Sequence, residues 1–250
     1  MAVADDSYLR LLAEWHKRDD YESTFRSTLG ELANQVDFSW IRSCVAFGTG
    51  GGEDEIAFAR RLLTNLRTFV AVEPDPESIK AIQANFENGQ LPGVEATVRK
   101  TVLERWNGID DPSNAALLFN VVLFHVKSED RRALFEKLAD RHLKPGAVVV
   151  IVEDESASGF MRLVERLSNT NVGEYKDVEE EMLSAGFRLV LTRSITGRRD
   201  LSNPTDDVLK YIELLLDRTI LHEEIRTAIA DIFSQPNLRN YKKILAIFQK

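Results

Sequence analysis

The run Gly48-Thr49-Gly50-Gly51-Gly52 is the part of the chain best suited to holding a ligand. It follows a short apolar stretch, Cys44-Val45-Ala46-Phe47, and precedes a segment of helical periodicity from Ile56 to Leu66. Glycines at a strand-to-helix junction reach positive φ, and they let a ligand approach the backbone with no Cβ in the way. In a doubly wound sheet, ligands sit beyond the carboxyl ends of the strands. The spacing of Gly48, Gly50 and Gly52 is G-x-G-x-G. A dinucleotide fingerprint, G-x-G-x-x-G, needs its third glycine where Glu53 stands.

The acidic residues Glu53, Asp54 and Glu55 open the next helix. Carboxylates suit a helix N-terminus, but they would repel a pyrophosphate. A phosphate-free nucleoside such as S-adenosylmethionine tolerates them, whereas NAD or FAD does not. Glu73 agrees with this reading. It ends the second strand, 21 residues after Gly52, and Pro74 fixes the turn behind it. A carboxylate there can accept hydrogen bonds from both hydroxyls of a ribose. A surface glutamate at a strand end is the bland alternative.

Further along, Asn120 to His125 leave the fourth strand beside the expected ligand. Phe124 and His125 are candidate acceptor contacts, and His125 is the candidate base, because an imidazole titrates near neutral pH. Glu153, Asp154 and Glu155 leave the fifth strand at the same edge. They could hold a cationic acceptor or form a solvated turn, with Glu153 the one expected at the site.

These residues need a scaffold, and the chain supplies alternating strands and helices. Strands are expected at Thr68–Val72, Val94–Val98, Ala115–Phe119 and Ala147–Val152. Helices are expected at Pro76–Phe86, with Asp75 as N-cap, and at Glu129–Leu143. The alternation implies a parallel sheet covered on both faces. Phe187–Ile195 and Ile244–Phe248 add a final strand pair, and two helices are expected within 206–233. Arg198–Pro204 reads as an exposed loop. The first forty residues read as helices, with apolar faces at Tyr8, Leu9, Leu11, Leu12 and Trp15, then at Tyr21, Phe25, Leu29 and Leu32. These helices and the late pair are expected to cover the site as a lid. Tyr21, Phe25, Phe160 and Tyr211 are its expected acceptor-side contacts.

Composition bounds the partners. The chain of 250 residues carries a net charge of −8, which argues against nucleic acid. Cys44 is the only cysteine, so no internal disulfide can form and a reducing, cytoplasmic setting is expected. No apolar run is long enough for a membrane span, and no metal site is expected. A monomer or weak homo-oligomer is expected.

Several short motifs resemble the histamine N-methyltransferase family and its carnosine N-methyltransferase relatives. Tyr21–Leu29 is similar to that family's N-terminal helix, and Gly48–Ile56 to its glycine loop. Val72-Glu73-Pro74 matches its Val-Glu-Pro, and Phe124-His125-Val126-Lys127 is similar to its Tyr-Tyr-Val-Lys. Ser156–Phe160 and Gln235-Pro236 are similar to two later motifs. The resemblance implies a Rossmann-like α/β class I methyltransferase sheet with N-terminal helices and a helical C-terminal insertion. The units would be residues 1–40 (lid), 41–200 (S-adenosylmethionine-binding core), 201–235 (acceptor-side insertion) and 236–250 (final strand).

The resemblance also implies a donor site of Gly48, Gly50, Gly52 and Glu73, with Ser78, Thr101 and Asn120; Thr49, Pro74, Val102 and Val121 are expected to line the same site. The acceptor pattern departs from the family. Its acceptor-binding glutamate falls near Asn34, its glutamine at Val121 and one of its tyrosines at His125. Fold and donor are therefore implied, and histamine is not. The activity expected is methyl transfer to a small amine or imidazole, with a cationic acceptor among the options. An oxygen acceptor, a larger metabolite and a non-catalytic S-adenosylmethionine-binding module are the alternatives.

Overall fold

A computed structural model describes residues 8–106, 108–109, 111–123, 126–155, 158–168, 175–216 and 219–250. Seven strands form one sheet: β1 (Ser43–Phe47), β2 (Thr68–Val72), β3 (Glu95–Arg99), β4 (Ala115–Asn120), β5 (Val148–Asp154), β6 (Arg188–Arg198) and β7 (Asn240–Gln249). Their order is β3-β2-β1-β4-β5-β7-β6. The first five run parallel, and β7 lies antiparallel between β5 and β6.

Every residue of β1 and β5 is buried, as is all of β4 except Asn120, as expected for central strands covered on both faces. Successive side chains alternate between faces. Cys44, Ala46, Leu118, Val150, Val152 and Leu245 pack on one face beneath α2 (Tyr21–Leu32), α3 (Glu53–Leu62) and α4 (Pro76–Glu87). Val45, Phe47, Leu117, Phe119, Val149 and Ile151 pack on the other, beneath α5 (Ser128–Lys137) and α7 (Tyr175–Ser184). A third cluster joins α1 (Tyr8–His16), α6 (Gly159–Ser168), α8 (Asp206–Leu215) and α9 (His222–Phe233) through Trp15, Phe160, Tyr211 and Ile225.

Local chemistry explains several boundaries. Asp75 caps α4 through a 2.7 Å bond from the Ser78 backbone N–H, and Pro76 occupies the first turn. The helix expected from Ile56 begins earlier, at Glu53, because Gly52 turns the chain at φ 82°. The helix expected to reach Leu143 gives way to a π-helical turn at Leu138–His142. Helices α6 and α7 were not anticipated. The expected exposed loop at Arg198–Pro204 is a correction, since Arg199 and Leu201 are buried. No helix among the described residues is long and apolar enough to cross a membrane.

A buried ion pair links α5 to α7. The Arg131 Nε and Nη2 donate to the two oxygens of Glu181 at 2.9 and 3.0 Å, while Nη1 donates to the Val126 carbonyl. Ser128 Oγ adds a 2.6 Å bond to the same carboxylate. Arg131→Ala leaves Glu181 with Ser128 and with the exposed Arg132 at 3.7 Å, and should lower unfolding stability by about 3 kcal/mol in chemical denaturation. Arg131→Met with Glu181→Leu leaves no stranded charge and should recover most of that loss.

Candidate functional site

The site begins where β1 and β4 part. The glycine loop leaves β1 with Gly48, Gly50 and Gly52 at φ 60°, 52° and 82°. At Gly52 an added Cβ would stand 2.5 Å from Ile82 Cδ1, so a side chain there is barred by both space and backbone. The carboxylate of Glu73 holds the loop. Its Oε2 accepts the Gly50 N–H at 2.9 Å, and its Oε1 accepts the Asp75 N–H at 3.0 Å. Burial raises the Glu73 carboxyl above its ordinary range, and these two backbone bonds oppose the rise.

On the other side of the gap, Val121 follows β4 at φ 52°. It is the single non-glycine residue with positive φ among those described, and its branched side chain makes this conformation costly. Its N–H donates to the Val152 carbonyl at 2.7 Å, which holds the strained turn in place.

A cavity of about 650 Å³ lies over this gap. Gly48, Thr49, Gly50, Gly51, Asn120 and Val121 line its base. Tyr8, Leu12, Trp15, Tyr21, Phe160 and Tyr211 line its outer walls. Thr49 Oγ1 is buried here without a hydrogen-bond partner among the described residues.

Asn120 ties the wall to the base. Its Nδ2 donates to Glu55 Oε1 at 3.0 Å and Asp54 Oδ2 at 3.3 Å, while its Oδ1 accepts from the Tyr21 hydroxyl at 3.3 Å. Burial pushes the Glu55 carboxyl up to about 8, and the neighbouring Asp54 adds to the rise. Asp54 is raised as well, chiefly by burial.

Two buried ion pairs complete the walls. Arg199 Nε and Nη2 donate to Asp19 Oδ2 at 3.0 and 2.7 Å. The guanidinium lies 4.4 Å from the Trp15 ring centre and 5.3 Å from that of Tyr241. Burial acts to raise Asp19, but the bond with His16 and the Arg199 charge outweigh it and hold its carboxyl low. Lys243 Nζ donates to Asp154 Oδ2 at 2.6 Å and stands 5.4 Å from the Tyr21 ring.

The structure gathers some of the expected residues and disperses others. Gly48, Thr49, Gly50, Asn120, Val121, Tyr21, Phe160 and Tyr211 all line the cavity. Glu73 lies behind the loop and does not line it. Pro74, Ser78, Thr101 and Val102 also stand off the cavity: Pro74 and Val102 are exposed, and Ser78 lies in the first turn of α4. Gly52 is spent on the turn into α3. Phe25 is core, stacked on Tyr21, because it sits one helical turn further on. Asn34 is exposed in the turn after α2 and donates to the Gly30 carbonyl near that helix's end. Phe124 and His125 lie outside the described residues.

Glu153 is a correction. It points to the far face and accepts the Leu123 N–H at 2.7 Å, and burial pushes it up to about 7. Its neighbour Asp154 faces the cavity instead. His16, Asp19, Arg199 and Lys243 were missed by sequence reasoning. His16 and Trp15 had a signal, since both fall in the expected first helix. Arg199 had none, because its pairing with Asp19 spans 180 positions.

No protein-family model and no curated protein matches the chain. Solved structures do. A candidate methyltransferase from Bacillus halodurans C-125 superposes with a TM-score of 0.64 at 17% identity, covering 90% of this chain and 99% of its own. The geranyl diphosphate C-methyltransferase of Streptomyces coelicolor A3(2), solved with Mg2+, geranyl diphosphate and S-adenosyl-L-homocysteine, has a TM-score of 0.57 at 17% identity. It covers 100% of this chain and 86% of its own. Magnesium protoporphyrin IX methyltransferase from Synechocystis PCC 6803, solved with S-adenosylmethionine, has a TM-score of 0.53 at 14% identity, with 91% and 79% covered. The strand order, the final antiparallel pair and these neighbours agree: the chain has the Rossmann-like fold of class I methyltransferases.

Proposed function

We propose that the protein is an S-adenosylmethionine-dependent methyltransferase that methylates a nitrogen of a small molecule. The observation that carries this reading is the single cavity joining the glycine loop to an aromatic and acidic wall. The residues present suit the donor. The backbone of Gly48–Gly51 is bare at the cavity base, and the buried Thr49 Oγ1 has a free hydrogen-bonding capacity there. Bound in this place, S-adenosylmethionine would supply an electrophilic methyl group on a positively charged sulfur.

The chain's own residues supply position and exclusion of water. Glu73 keeps the loop in its ligand-ready shape through the Gly50 N–H. Tyr8, Leu12 and Tyr211 close the outer side, which shields the transfer and aligns the reacting atoms. His16 lines the same cavity, and its imidazole is a proposed proton acceptor for an incoming amine. The wall favours nitrogen over anionic acceptors. Among the described lining residues, seven carboxylates face two permanent cations, Arg199 and Lys243, and both cations are already paired. Neither cation is left unpaired to bind a diphosphate acceptor.

Calorimetric titration with S-adenosylhomocysteine tests the donor site. Wild type should bind it, and Glu73→Ala should weaken binding by at least about tenfold, because losing a hydrogen bond to a charged group costs about 1.5–3 kcal/mol. Unchanged affinity in the variant would sink the assignment of the loop. Tight binding with no turnover on any acceptor would favour a non-catalytic module.

The raised Glu55 gives a second test. Its carboxyl titrates near 4.5 in the unfolded chain and near 8 when folded. Between those values the folded state keeps a proton that the unfolded state has lost. Its contribution is therefore fullest at low pH and declines as pH rises through the folded value. Glu55→Gln should remove that decline, so its Tm advantage over wild type should widen from about pH 5 to about pH 9. A constant difference in Tm across that range contradicts the assignment.

A further inference from the structure

Asp154 is the last residue of β5 and lies 4% exposed. Strand alternation puts it on the same sheet face as Val150 and Val152, beneath Tyr21. Its cross-strand neighbour is Lys243 on β7. One carboxylate oxygen, Oδ2, accepts the Lys243 ammonium at 2.6 Å. The other, Oδ1, is buried and has no hydrogen-bond partner among the described residues. Asp154 lines the cavity.

A buried carboxylate oxygen left without a donor is costly, and native interiors rarely tolerate one. A ligand donor removes the cost. The surroundings define what kind of donor. Lys243 bonds Oδ2 and fixes the carboxylate in place, so Oδ1 is a preset acceptor. Tyr21, Trp15 and Phe160 offer ring faces in the same cavity, and two protein cations already lie against those rings. Asp54 and Glu55, held by Asn120, have no cation bonded to them among the described residues, and a ligand cation would offset the burial that raises their carboxyls. A positively charged nitrogen satisfies all three conditions, whereas a neutral hydroxyl satisfies only the first.

We propose that Asp154 seats the acceptor: its free Oδ1 takes an N–H of a primary or secondary ammonium group, between the aromatic wall and the glycine loop. This rests on the cavity being the methyl-transfer site, and it names the residue that selects the substrate class. Lys243 is the positioning residue behind it. Asp154 is a binding residue here, and the transfer itself needs nothing further from it.

The test compares matched ligands. Phenethylamine is titrated against phenethyl alcohol, and butylamine against butanol, using ligand-observed NMR. Each titration is run on the free protein and on protein saturated with S-adenosylhomocysteine. The amines should bind wild type at least about tenfold more tightly than their alcohols, as charge-assisted hydrogen bonds require. Asp154→Asn should abolish most of that preference while leaving S-adenosylhomocysteine affinity unchanged. If the unpaired Lys243 prevents that variant from folding, Asp154→Asn with Lys243→Met strands no charge and reads the same quantity. Equal binding of amines and alcohols, no amine binding to wild type, or a preference that survives loss of the carboxylate would each overturn the proposal. Failure of S-adenosylhomocysteine to bind wild type would instead count against the methyl-transfer reading, and the titrations on free protein would still decide the role of Asp154.

Discussion

Everything at this site depends on the place where neighbouring strands β1 and β4 send their connections in opposite directions. From β1 the chain runs through α3 to β2 on one side, and from β4 it runs through α5 to β5 on the other. Neither helix can fill the crevice between the two strand ends, so a ligand space follows from topology alone. The sequence then keeps that space open. Gly48, Gly50 and Gly52 turn the chain in conformations that other residues resist, and Val121 is held in one despite its branching. Such strain persists only where the surroundings over-determine it. Here the bonds to Val152, Val72 and Glu73 do so.

Electrostatics decides what the space will accept. The walls contain more negative than positive groups, and the structure answers each case differently. Arg199 and Lys243 are matched one to one with Asp19 and Asp154. Asp54 and Glu55 are not matched by a bonded cation; they share the amide of Asn120, and their carboxyls are raised so that protons offset part of the charge. Buried ion pairs such as Arg199–Asp19 and Lys243–Asp154 contribute little net stability and often cost some. Unlike Arg131–Glu181, which ties α5 to α7, these two lie at the cavity, where a ligand can meet them.

The legible part of the sequence was the part written in local patterns. The apolar runs of β1, β4 and β5, the glycine spacing and the Asp75-Pro76 cap all act within a few residues, and each fell where expected, with strand edges off by at most two positions. Register was the harder matter. Glu153 and Asp154 are adjacent, equally acidic and equally buried, yet one step along a strand reverses the face. Nothing in the composition of that segment tells which carboxylate turns toward the ligand; only the parity with Val150 and Val152 does. Asn34 failed for the opposite reason. The helix α2 ends at Leu32, so the position matched by resemblance falls in the turn beyond it, in solvent. Arg199 was illegible because its partners, Asp19 and Trp15, belong to the other end of the chain.

That long-range pairing bears on how the outer wall is built. The connector from α1 to α2 is stitched to the end of β6 by the Arg199–Asp19 pair and by the Asp200 N–H to the Arg18 carbonyl at 2.7 Å, and to β7 by Asp20, which accepts the Tyr241 hydroxyl. The Arg199 guanidinium also lies against Trp15 of α1 and Tyr241 of β7. The foot of α1 and the start of α2 are therefore part of the sheet's framework and not a loose flap. The rest of α1 is packed as well: Tyr8, Leu11, Leu12 and Trp15 share the third apolar cluster with Val208, Leu209, Tyr211 and Ile212 of α8. The cavity thus has packed helices on its outer side and the Asp154–Lys243 pair on its sheet side. Exclusion of water needs the first, and a preset carboxylate needs the second.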